Sequence, residues 1–152
     1  MTQRAHLLRL GLAIMPAALS LVTAVHAVEL DPKVVASVTP DQFKWRDPTM
    51  AAATNQTILY GDPNKTGGIY IYINKFKPNR FGNAHSHPNE QWIYVLEGEL
   101  EMEFDGKWYR GGPGHCFYVP ANKVHKARNE GARDCVFFTC KDASHGLHGK
   151  KA

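Results

Sequence analysis

Residues 84–104 read AHSHPNEQWIYVLEGELEMEF, and their chemistry starts with two imidazoles one residue apart. Alternate residues of an extended chain share a face, so His85 and His87 point the same way. After the turn signal Pro88-Asn89-Glu90, the next run keeps Gln91, Ile93 and Val95 on one face and Trp92 and Tyr94 on the other. Ile93 and Val95 are the core-facing set, which carries Gln91 inward with them. A hairpin of this kind gathers two imidazoles and an amide oxygen at one wall. Imidazole is the usual donor for borderline first-row metals, and an amide oxygen adds a harder neutral donor. Three donors are a partial shell, and the candidate for the fourth is His125, in GHCFYVPANKVHKARN. Glu90 carries the charge that Gln91 lacks, but strand parity turns it away from His85, His87 and Ile93.

Such a site needs strands to hold it. From Ile58 onward short apolar runs alternate with turn signals, and no stretch sustains a helical period for three turns. The runs are TILYG, GIYIYINKF, WIYVLEG, LEMEFDG, HCFYVP, KVHKAR and CVFFTC, separated by Gly-, Pro- and Asn-bearing breaks such as Asp105-Gly106 and Gly111-Gly112-Pro113-Gly114. Short β-rich runs at near-regular spacing indicate an all-β sandwich or barrel. In ELEMEF, Leu100, Met102 and Phe104 face one side and Glu99, Glu101 and Glu103 the other. Three acids on one strand face read as a solvated surface rather than a catalytic carboxylate pair. Tyr70, Tyr72, Phe104, Phe117, Tyr118 and Phe137 are expected to line or fill the barrel.

Residues 85–98, HSHPNEQWIYVLEG, resemble the first motif of the cupin superfamily: HxH, an acid a few residues on, and a glycine that Gly98 supplies. Residues 114–129 resemble its second motif, with Gly114, Pro120, His125 and Asn129 in place and Asn122 at a glycine position. The 15 residues between them, 99–113, match the short intermotif length of compact single-domain cupins. The resemblance implies a jelly-roll barrel, also called a double-stranded β-helix, with a metal held by His85, His87, Gln91 and His125. It also implies a homodimer. There are three departures. Asn79 stands at the leading glycine position, so that turn is expected to be built differently. Asn122 replaces a glycine, a mild change because Asn tolerates the left-handed backbone. Gln91 replaces Glu, which leaves the full dication charge on metal and ligand, favours an anionic or enolate partner and removes a base.

Around this barrel the chain divides into four stretches. Residues 1–27 carry Arg4 and Arg9, an apolar run from Leu10 to Val25 broken at Pro16, and the small-residue site Val25-His26-Ala27. This is the layout of a secretory signal peptide cleaved after Ala27, giving a periplasmic or secreted protein with no membrane anchor. Residues 28–57 hold Pro32, Pro40 and Pro48 and read as an irregular arm, pinned by Phe43 and Trp45. Residues 58–141 form the barrel, and 142–152 a flexible tail whose His145 and His148 are surface histidines. The whole chain has net charge +4; beyond Ala27, 16 bases face 14 acids, and a charge of +2 does not argue for nucleic acid. Export would permit disulfides among Cys116, Cys135 and Cys140. Along one strand Cys135 and Cys140 would stand roughly 16 Å apart, against the limit of about 7 Å for a bridge. Any bridge would therefore involve Cys116.

The function expected is the binding of one divalent metal (Fe, Mn, Zn or Ni) and action on a small oxygen-rich molecule. The chemistry would be that of a Lewis-acid isomerase or lyase, or of a dioxygenase. A non-catalytic metal- or ligand-sensing module and an empty structural barrel are the alternatives. No inward acid or base beside the metal position stands out; tyrosines and His115 are the only candidates. His115 reads as a turn residue and Arg80 as surface charge.

Overall fold

The computed structural model describes residues 36–45, 55–62 and 67–142, and the backbone of 150–151. The segment read as a signal peptide, most of the arm, and His145 and His148 lie outside the described residues. So do residues 63–66.

The regular structure of the described residues is all strand, apart from one 3-10 turn at Pro40–Gln42. Five strands form an antiparallel sheet in the order β1 (Asn55–Tyr60), β2 (Ile69–Phe76), β10 (Cys135–Asp142), β5 (Gln91–Glu97) and β8 (Cys116–Val119). A second sheet runs β3 (Arg80–Phe81), β9 (Lys126–Asn129), β6 (Leu100–Phe104) and β7 (Lys107–Gly111). A short pair joins β4 (His85–Ser86) to β11 (Lys150–Lys151).

The alternation read in the sequence is the burial pattern found. Along β5, Gln91, Ile93 and Val95 are buried while Trp92, Tyr94 and Leu96 are exposed. Leu100 and Met102 of β6 meet Phe76, Ile93, Val95, Val119, Cys135 and Phe137 from the larger sheet, with Phe104, Phe117 and Ala127 packed at the margin. The core is therefore the space between the two sheets, the jelly-roll arrangement. Each fully buried aliphatic side chain there contributes about 1.5–3 kcal/mol.

Gly98 makes the corner where the chain leaves β5 in one sheet for β6 in the other. Its φ is 71°, and a Cβ there would lie 2.3 Å from the Asp134 carbonyl oxygen, so only glycine fits. The turn expected to differ at Asn79 does not: Asn79 has φ 57° and Asn122 φ 61°, the left-handed conformation that glycine would supply. Asn129 is fully buried and acts as a clamp. Its amide donates to the carbonyls of Phe76 (3.1 Å) and Arg133 (2.8 Å), and its oxygen accepts from the Gly131 amide at 2.9 Å.

Three expectations are corrected. The acids of β6 are not a solvated face. Glu101 is 4% exposed, because β7 and β9 set Arg110 and Arg128 opposite it on either side. Tyr118 does not line the barrel: it points outward, packs on Trp92 at 4.7 Å and donates to Glu90 at 2.7 Å. And β7, in the run Lys107-Trp108-Tyr109-Arg110-Gly111, is a full strand that alternation alone does not announce. Strand β1 also starts at Asn55, inside the stretch read as arm. Of that arm, Trp45 is half-exposed and lies under the Lys75 ammonium at 4.5 Å. The three cysteines are free thiols; Cys135 sits in the core, where burial pushes its thiol up to about 12.

Candidate metal centre

His85 and His125, forty residues apart, are backbone partners. Each amide donates to the other's carbonyl at 2.9 Å, an antiparallel bridge that projects both side chains from one face. His87 follows two residues after His85, and its carbonyl accepts the Asn122 amide at 2.7 Å, which ties the first motif to the turn before His125. The ring centroids stand 4.4 Å apart for His85–His125, 5.0 Å for His87–His125 and 6.0 Å for His85–His87.

Each ring is also oriented by its own backbone. The Nδ1 atoms contact the carbonyls of Asn83 (2.9 Å), Asn89 (2.6 Å) and Lys123 (2.9 Å), each two residues away from its histidine. A carbonyl only accepts, so each Nδ1 carries the proton and the neutral ring keeps its lone pair on Nε2. The same second contact orients histidines that hold metals. The His87 Nε2 is buried and makes no hydrogen bond of normal geometry, although the Gln91 side chain lies near enough to favour the charged ring slightly. Burial is the main reason that all three rings stay neutral. It carries His87 down to about 4 and His125 down to about 3, and it lowers His85 as well; the Lys141 charge adds to each shift.

The ligand-capable atoms of His85, His87 and His125 all lie within 4.8 Å of one another. Two nitrogens held at about 2.1 Å by one ion are at most about 4.2 Å apart. A small inward movement of the rings would close the set. The donors thus fit a divalent first-row metal: neutral, preoriented imidazoles with a bare lone pair among them.

Gln91 is buried on the inner face of β5, the side on which Ile93 and Val95 point, as parity requires. Glu90 is exposed and engaged by Tyr118, so it is not a donor to the cluster. His115 is an exposed turn residue bonded to the Gly112 carbonyl. Phe104 stacks on His125 at 6.2 Å and closes one side. Arg80 sits exposed on β3.

Lys141 is the residue that sequence reasoning missed. β10 runs on past Cys140, and Phe137, Thr139 and Lys141 share the face that pairs with Val95, Ile93 and Gln91. Lys141 therefore stands beside Gln91 on one side and Tyr70 on the other, with its Nζ 5.9 Å from the ring centroids of both Tyr70 and Tyr72. Burial pulls its amine down to about 8. Continuing the alternation Cys135, Phe137, Thr139 by one step would have found it.

Two facing antiparallel sheets with an imidazole cluster between them define a jelly-roll barrel whose three clustered histidines could hold a metal. The cupin domain family model matches residues 72–140, which include both motifs, and with the barrel fold it supports the cupin superfamily. The chain is 30% identical over 66 residues to an uncharacterized HTH-type transcriptional regulator, YobQ, of Bacillus subtilis. That match spans 43% of this chain but only 27% of the regulator. It is 23% identical over 139 residues to a 5-nitrosalicylic acid 1,2-dioxygenase of Bradyrhizobium, spanning 78% of this chain and 67% of the enzyme. Among solved structures it resembles the polyketide cyclase RemF of Streptomyces resistomycificus, at TM-score 0.68 and 19% identity over 78% of this chain and 86% of the other. At that identity the likeness is one of fold.

Proposed function

We propose that the barrel holds one divalent metal, drawn from iron, manganese, zinc or nickel, on His85, His87 and His125 with Gln91 as the fourth donor. With it the protein acts on a small oxygen-rich organic molecule. The observation that carries this reading is the convergence of three neutral imidazoles whose Nδ1 atoms are all tied to carbonyls, leaving Nε2 bare. Bound there, a metal would polarise the oxygens of a chelating ligand, and iron would add oxygen chemistry. The chain's own part is to orient the imidazoles, to close one side with Phe104 and to present Gln91 and Lys141 to the ligand. The length of the match to the Bradyrhizobium enzyme favours the dioxygenase form over Lewis-acid isomerisation or lyase chemistry. A non-catalytic sensing role is the second reading, favoured by the match to a transcriptional regulator over just this region.

The reading includes export, for which the N-terminal 27 residues argue by their layout. It also includes a homodimer. The outer face of the large sheet carries Trp92, Tyr94, Leu96 and Tyr118, each at least 40% exposed, and a grouped apolar patch of that kind marks a contact surface.

The test is the metal content of residues 28–152 purified without chelator, beside a His85→Ala/His125→Ala double variant. One equivalent of metal in the wild type, absent from the variant, is expected. Iron directs the search to oxygen uptake, and zinc, nickel or manganese to isomerisation. A wild type that neither contains nor takes up metal would sink the reading.

A further inference from the structure

The donors proposed for this centre are three neutral imidazoles and one neutral amide, and Lys141 stands directly across the strand pair from that amide, Gln91. The register places Tyr70, Lys141, Gln91 and Val119 in one lateral row across β2, β10, β5 and β8, on the inner face at the level of the cluster. The lysine's charge disfavours the charged form of each ring, His85, His87 and His125, as a lesser cause beside burial. Its Nζ stands 5.9 Å from the centroids of both Tyr70 and Tyr72, two buried rings 4.7 Å apart. Among the described residues no carboxylate forms an ion pair with Lys141, although Lys77, Arg110, Lys123, Lys126 and Arg128 all have one.

A part-buried ammonium without a counterion, beside neutral metal donors, is unfavourable unless something anionic arrives. A dication would add to the imbalance, and Gln91, a neutral amide where the motif it resembles has Glu, does nothing to offset it. An anionic ligand would supply the missing negative charge and hold the amine in its charged form.

We propose that Lys141 is the anion-recognition residue of this mouth. It pairs with the carboxylate of a small hydroxy- or oxo-acid whose neighbouring oxygen faces His85, His87 and His125. This rests on the metal reading above and narrows it to a substrate class. Lysine acts here as a point charge rather than as a planar fork, so it selects for charge and reach more than for shape.

The two properties can be separated with cobalt(II)-loaded protein, whose visible absorption reports ligands entering the metal position. Salicylate, anionic and bidentate, is titrated beside imidazole, a neutral metal ligand. Lys141→Met is expected to weaken salicylate by about ten- to hundredfold, the range for a hydrogen bond to a charged group. The same change should leave imidazole binding as it is or slightly tighter, because a positive charge beside the dication has gone. Lys141→Arg should recover part of the salicylate affinity. Salicylate binding unaffected by Lys141→Met, or salicylate and imidazole weakened equally, would overturn the proposal. If Lys141→Met does not fold, Lys141→Gln replaces it in the same titrations. If the wild type takes up no cobalt, the metal reading falls by itself. Salicylate line broadening with metal-free protein then decides on Lys141: binding lost in the variant supports the role, and binding equal in both or absent from both ends it.

Discussion

Two parts of this barrel bury charged or titratable groups, and they treat them in opposite ways. On the outer face of the smaller sheet, Glu101 lies between arginines on both neighbouring strands. Arg110 Nε donates to Oε1 at 2.6 Å, and Arg128 Nε to Oε2 at 2.5 Å. Trp108 covers Arg128, its ring 3.8 Å from the guanidinium carbon. Burial alone would raise the Glu101 carboxyl, but hydrogen bonds and charge from Arg128 and Arg110 outweigh it and hold the group below the usual carboxylate range. Every charge there is answered within the chain. Between the sheets, by contrast, His85, His87, His125 and Lys141 form no ion pair with an acid among the described residues. A charge answered internally is what a scaffold needs, and donors left bare with a cation beside them are what a ligand needs.

The largest effect expected is in the paired region. Glu101→Ala leaves Arg128 facing a buried vacancy beside Trp108, and stability should fall by about 2–3 kcal/mol in urea unfolding. Metal affinity should not change, because Glu101 points away from the core that Leu100 and Met102 enter. A comparable loss of metal in Glu101→Ala would show that the two regions are coupled and erase the distinction between them.

The pH dependence separates the regions next, and its sign differs from habit. His87 and His125 have folded values of about 4 and about 3, below the ordinary 6.5. Between pH 6.5 and 4 the unfolded chain therefore takes up protons that the folded chain refuses, and stability falls as pH falls. Glu101 is depressed too, so its contribution is present above its ordinary value of 4.5 and is lost as pH falls through its still lower folded value. Chelator-treated protein should lose about 1–2 kcal/mol per buried imidazole between pH 7 and 5. That loss should shrink in His125→Ala, while Glu101→Gln should alter the profile only at more acid pH. A flat profile from pH 7 to 5 in the wild type would mean that the rings are not held neutral by burial.

Much of this was legible in the residues. The alternation of Gln91, Ile93 and Val95 gives a register that places the amide inward, and the two motifs bring His125 to the first pair. What stays hidden depends on strands far apart in sequence. Glu101 looks solvated because parity along β6 says nothing of Arg110 and Arg128, which only sheet order brings alongside. β7 is obscured by Lys107 and Arg110, whose charges resemble a loop. Lys141 is lost because a lysine after Cys140 reads as the end of a strand, and nothing local shows that Gln91 lies next to it. The carbonyls of Asn83, Asn89 and Lys123 that set the ring tautomers are backbone groups, which side-chain patterns do not report.

The smallest effect would come from making the unpaired region resemble the paired one. Gln91→Glu places a carboxylate beside the imidazole cluster and directly across the strand from Lys141, the cross-strand neighbour with which it can pair. If Gln91 is a donor, the carboxylate should tighten metal binding by about tenfold, through one added negative charge at the ion. It should also weaken salicylate, because Lys141 would then be answered within the chain. Both are read from competition with a chromophoric chelator and from the cobalt spectrum. Tighter metal with unchanged salicylate would keep Gln91 in the metal shell but separate it from Lys141. Unchanged metal affinity would remove Gln91 from the shell and leave three histidines to hold the ion, with the amide serving only to carry the strand's register to the barrel mouth.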